Sequence, residues 1–72
     1  MRIKIDVDVA GTQVRAYNGE IRWTGVSALV AEAIDQLRYT QDGSGCPRPA
    51  TVTVNDWDSR VIVTASLEEE EI

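Results

Sequence analysis

Residues 24–40 read "TGVSALVAEAIDQLRYT", and this stretch decides the fold because the apolar period changes within it. Counting from Val26, the residues Leu29, Val30, Ala33, Ile34 and Leu37 follow at spacings of 3, 4, 7, 8 and 11. Such spacing gathers them into one apolar stripe on a helix of about three to four turns. Glu32, Asp35, Gln36 and Arg38 then take the wet side. Thr24 or Ser27 is placed to cap the start, and Asp42-Gly43 to stop the helix.

On the N-terminal side the period is two. In "RIKIDVDV", residues 2–9, Ile3, Ile5, Val7 and Val9 share one face, and Arg2, Lys4, Asp6 and Asp8 the other. That alternation with β-branched residues predicts a half-buried strand. "TQVRAYNGEIRWT", residues 12–24, reads as a hairpin, because Asn18-Gly19 supplies the positive φ angles of a two-residue turn. The register then sets Arg15 against Arg22 and puts Val14, Ala16, Ile21 and Trp23 on the inner face. A turn at Ala10-Gly11 sets Val7 against Val14 and Asp6 against Arg15, which makes a three-strand meander.

On the C-terminal side, "ATVTVN" and "RVIVTASL" alternate again around "DWDS", residues 56–59. An antiparallel pair follows, with Asn55 against Arg60, Val54 against Val61 and Val52 against Val63. The expected fold is therefore α+β: a single antiparallel sheet of about five strands, β-β-β-α-β-β, with the amphipathic helix on one face. It spans residues 1–67 and leaves 68–72 as an acidic tail. Strand order is not fixed by these pairings, and a ubiquitin-like grasp with parallel first and last strands stays open.

Composition removes several chemistries. Seventy-two residues make one small domain. The single cysteine excludes an internal disulfide, and with no histidine a structural zinc site lacks ligands. The net charge of −5 counts twelve acids against seven bases. Four of the acids are the run Glu68, Glu69, Glu70 and Glu71, so the remainder has eight acids to seven bases, a net of −1. No apolar run approaches the length of a membrane helix, and the N-terminus lacks a signal-peptide core. A lone free thiol fits a reducing cytoplasm.

"QDGSGCPRPA", residues 41–50, follows a helix and runs into prolines, whereas a phosphate-binding loop follows a strand and opens a helix. Cys46 has no histidine to activate it as a nucleophile. The stretch reads as a connector. Asp6 with Asp8, and Asp56 with Asp58, pair carboxylates, but one sheet with one helix offers little cleft to split their acidities. No catalytic residue, cofactor or metal site is expected.

Two binding readings remain. Trp57 stands at the tip of an acidic turn, where its ring is expected to fold back over the helix end or sheet edge and extend the small core; left exposed, it would be a favoured anchor in protein interfaces. With Asp56, Asp58 and the run Glu68–Glu71 it describes a non-enzymatic protein-binding module, such as an inhibitor or accessory subunit. The alternative is a single-stranded nucleic-acid binder that uses Arg2, Lys4, Arg15, Tyr17 and Arg22 on the outer sheet face. Asp6, Asp8 and Glu20 are interleaved there, and the mixed sign favours a protein partner. Homodimerisation through an exposed sheet edge is a further option.

Overall fold

The computed structural model describes residues 1–41 and 47–69. It has four elements: β1 (Arg2–Val7), α1 (Trp23–Thr40), β2 (Ala50–Asn55) and β3 (Val61–Glu68). The fold is α+β, with one helix and a three-stranded antiparallel sheet in the order β1-β3-β2. The five-strand expectation falls to three because the two strands expected between β1 and α1 do not form. The grasp order also fails, since the first strand and the last are antiparallel neighbours.

The expected hairpin shrinks to a single bridge, since its arms bring only Val14 to full burial. Its loop takes three residues rather than two: Gly19 N–H donates to the Ala16 carbonyl at 3.0 Å, and Ala16 N–H to the Glu20 carbonyl at 2.9 Å. Gly19 alone supplies the positive φ, at 85°. One extra loop residue slips the register by one, so Arg15 pairs with Ile21 rather than Arg22, in a single bridge. Trp23, expected in the core, opens α1 instead and is 70% exposed. Asp6, expected beside Arg15, faces Thr64 of β3.

The segment from Asp8 to Arg22 closes one end of the sheet. Asp8 N–H extends the β1 ladder by donating to the Ile62 carbonyl at 2.7 Å. A turn follows in which the Gly11 carbonyl accepts from both Val14 and Arg15 N–H groups, and Val14 drops into the core with no exposed surface. Ile62 meets this segment through a bulge in β3. Val54 pairs with Val63 but Asn55 with Val61, which leaves Ile62 as the extra residue and turns it inward. Two steps shift the expected register of the second hairpin: the turn sets Asn55 against Val61 rather than Arg60, and the bulge adds one residue more, so Val52 lies against Ala65 rather than Val63. The shift is two residues for most of the strand, so Val63, Ala65 and Leu67 keep the inner face, whereas Val61, expected there opposite Val54, is 48% exposed and Ile62 is buried instead.

Helix α1 buries Leu29, Ala33 and Leu37 against Val54, Val63 and Ala65, with Val26 and Val30 packed at the margin. It has no side-chain N-cap; Arg22 holds that position, where Thr24 or Ser27 was expected. The helix lies over β2 and β3 and barely meets β1. Ile3 and Ile5 therefore occupy the helix-side face yet remain 56% and 41% exposed. At the other end of α1, the connector is closed at its neck. Gln41 Nε2 donates to the Arg48 carbonyl at 2.8 Å, and Arg48 N–H returns to Gln41 Oε1 at 2.6 Å. The Arg48 guanidinium also donates to the Thr40 carbonyl at 2.9 Å, satisfying a helix-end acceptor. The expected stop at Asp42-Gly43, and Cys46, lie outside the described residues.

Candidate functional site

The turn between β2 and β3 is fastened to the 8–22 segment. Asp56 is buried, and its Oδ1 accepts from the Asp58 and Arg60 N–H groups at 3.0 and 2.9 Å. Its second oxygen, Oδ2, is buried without a hydrogen-bond partner among the described residues. Gly11 makes that packing feasible: a Cβ at this position would collide with Asp56 Oδ2 and sit 3.3 Å from Ile62 Cδ1. Asp56 thus shapes the turn from inside and presents no contact surface.

Trp57 is 66% exposed, so its ring does not fold back into the core. Both of its donors are nonetheless tied down. Indole Nε1 donates to Thr12 Oγ1 at 2.6 Å, and the Trp57 backbone N–H to Gln13 Oε1 at 3.1 Å. Thr12 Oγ1 in turn donates to Asp58 Oδ2 at 2.8 Å. Thr12 and Gln13, which the sequence gives no reason to single out, are what hold the tryptophan. Bonds spanning more than forty residues leave no local signal.

The glutamate run lies elsewhere. Glu68 ends β3 and pairs across to Arg2, and its carboxylate meets Lys4 Nζ at 3.1 Å. It therefore belongs to the sheet rather than to a tail. The eight residues of β3 separate it from the Trp57 turn, roughly 23 Å at the usual rise. Glu69 is exposed, and Glu70 and Glu71 lie outside the described residues. Glu68 and the acidic turn do not form one surface.

The basic set also divides. Arg2 and Lys4 stand on the outer sheet face with Asp6, Thr51, Thr53, Thr64, Ser66 and Glu68, a polar surface of mixed sign. Arg15, Tyr17 and Arg22 leave the sheet altogether. Together with Ala10, Gly11, Thr12 and Ala16 they line an open depression of about 340 Å³ in the 8–22 segment. Tyr17 is fully exposed, and neither arginine has an ion-pair partner among the described residues. Thr12 belongs both to this depression and to the Trp57 clasp, so the two lie side by side.

Among the described residues, no three acidic, cysteine or histidine side chains gather as a metal-ligand set. No helix there is long and apolar enough to cross a membrane. The chain matches no protein-family model, and it has no significant similarity to a curated protein or a solved structure.

Proposed function

We propose that this protein is a non-enzymatic protein-binding module, an inhibitor or accessory subunit, whose anchor is Trp57. The observation that carries the reading is an indole two-thirds exposed, its Nε1 held by Thr12, on a turn whose backbone is fixed by Gln13 and Asp56. An anchor held rigid before binding loses little conformational freedom on docking, which is how a small surface reaches useful affinity. Tryptophan is also the residue most enriched among such anchors. Asp58 beside it adds negative charge at the rim, and Glu68 and Glu69 form a separate acidic point at the far end of the sheet. The single cysteine supports a cytoplasmic setting.

The second reading, single-stranded nucleic acid, is favoured by the depression that groups Arg15, Arg22 and Tyr17. It receives no support from the outer sheet face, where Asp6 and Glu68 offset Arg2 and Lys4. The test compares three proteins: wild type, Trp57→Ala, and the double variant Arg15→Ala with Arg22→Ala. Partners captured by wild type from native lysate are identified, and their affinity for each form is measured. Trp57→Ala is expected to cost about 2 kcal/mol while the arginine pair changes little. Micromolar oligonucleotide binding that falls steeply with salt and disappears with the arginine pair would replace this reading with the second.

A further inference from the structure

The open edge of β1 carries a pattern that the fold itself does not use. Ile3 and Ile5 are uncovered because α1 sits over the other two strands. The direction of the free backbone groups follows from one bond. Asp8 N–H points to β3, bonding Ile62. In an antiparallel ladder alternate residues face the same neighbour, so Arg2, Lys4 and Asp6 also direct their backbone groups to β3. Ile3, Ile5 and Val7 direct theirs outward, with no strand among the described residues to receive them.

We propose that β1 pairs antiparallel with β1 of a second copy of this chain about a two-fold axis through Ile5. In that register Ile5 faces Ile5 of the second copy, and Ile3 faces Val7, so each outward N–H and C=O finds its counterpart. The even residues then match by charge: Lys4 faces Asp6 of the second copy, and Arg2 faces Asp8. These are the non-hydrogen-bonded positions, where facing Cα atoms approach to about 4.5 Å and side chains interact most closely. Sliding by one rung in either direction keeps two opposite pairs, Arg2 with Asp6 or Lys4 with Asp8, but sets a like pair on the axis. One slide brings Lys4 against its own copy, and the other brings Asp6 against its own copy. The strand "RIKIDVD", residues 2–8, is thus self-complementary in a single register.

The apolar side agrees. Ile3, Ile5 and Val7 lie on the helix-side face with Leu67, Ala65 and Val63, and pairing would extend that row across the two copies. The intrachain Lys4–Glu68 contact is surface-exposed on both sides and so is not an obstacle. Charges commonly protect a sheet edge from association, but that protection depends on like charges meeting in the paired state. Here opposite charges meet. This dimer uses the β1 edge and leaves Trp57 and its clasp free, so it stands apart from the proposed function.

Sedimentation equilibrium of the full chain over a range of concentrations tests it. Wild type is expected to approach twice the 7.9 kDa chain mass. Lys4→Asp and Asp6→Lys each turn two attractions into two repulsions about the axis, and each is expected to weaken the dimer about tenfold or more. The decisive arms are the rescues. The double variant Lys4→Asp with Asp6→Lys restores opposite charges, and an equimolar mixture of the two single variants forms a matched heterodimer. Both are expected to associate again, with circular dichroism unchanged throughout. Amide exchange in wild type needs no variant: Ile3, Ile5 and Val7 are expected to slow as concentration rises. A wild type that stays monomeric overturns the proposal, as does a dimer that ignores both charge reversals or leaves those three amides in fast exchange.

Discussion

Two turns in this molecule share one hydrogen-bond design and meet different fates. In Ala16–Glu20 and in Asp56–Arg60 the first N–H reaches the fifth carbonyl, at 2.9 Å in both, and the fourth N–H returns to the first carbonyl, at 3.0 and 3.1 Å. In both the fourth residue is left-handed: Gly19 with φ 85°, Ser59 with φ 61°. Both are type I-like loops closed by an αL residue. The Asp56 turn joins two long strands, whereas the Gly19 turn closes a single bridge. Turn chemistry therefore does not decide whether a hairpin grows. The flanks do: β2 and β3 bring Val52, Val54, Val63 and Ala65 to one buried face. The arms of the Gly19 turn bring Val14 alone to full burial before Trp23 enters the helix.

The largest expected effect breaks the better-supported turn from inside. Asp56→Ala leaves the Asp58 and Arg60 N–H groups without their carboxylate and opens a gap beside Gly11. Hydrogen bonds to a charged acceptor contribute about 1.5–3 kcal/mol, so a loss of about 2 kcal/mol or more in chemical denaturation is expected. Asp56→Asn keeps an acceptor at Oδ1 and should lose less than half as much. Equal losses in the two variants would mean that the negative charge, and not the shape or the bare acceptor at Oδ1, holds the turn.

The weaker turn depends on its glycine. Gly19→Val forces a β-branched side chain to φ 85°, although nothing lies within 4 Å of the Cβ it would add. The cost is conformational, not steric crowding, and is expected at roughly 1 kcal/mol or more. A thermal midpoint equal to wild type would show that the 16–20 loop relaxes freely, and that its single bridge carries no weight.

The same contrast explains what was legible in the sequence. The helix, the buried Leu29, Ala33 and Leu37 of its stripe and its polar side were readable because each depends on spacing within one segment, whereas Ile34, expected in the same stripe, is exposed because α1 leaves β1 uncovered. The β2–β3 pair was readable as a pair, but its bulge at Ile62 was not, since the extra residue is specified by the 8–22 segment packing beneath it. The central meander failed on its flanks, which bury Val14 alone before Trp23 enters the helix; the extra loop residue only slips the register of its one bridge. Trp57 was visible as a residue, while Thr12 and Gln13, which fix it, lie 45 and 44 positions away in the chain. Long-range fastening of this kind has no periodicity to betray it.

The smallest expected effect turns the comparison around, by giving the stronger turn the residue of the weaker one. Ser59 sits at φ 61°, where an L side chain crowds its own backbone at a cost of about 1–2 kcal/mol. Ser59→Gly removes that cost but adds freedom to the unfolded chain, which offsets about 0.5–1 kcal/mol. No hydrogen bond of the Ser59 hydroxyl enters the turn network, which runs through Asp56 and the backbone. The net expectation is a stabilisation of about 0.5 kcal/mol, readable as a small rise in denaturation midpoint with an unchanged slope. Because the αL residue follows Trp57 and Asp58 directly, affinity through the indole should not change if the clasp, rather than Ser59, sets its position. A stabilised variant with weakened partner binding would instead mean that the strain at Ser59 helps to aim Trp57.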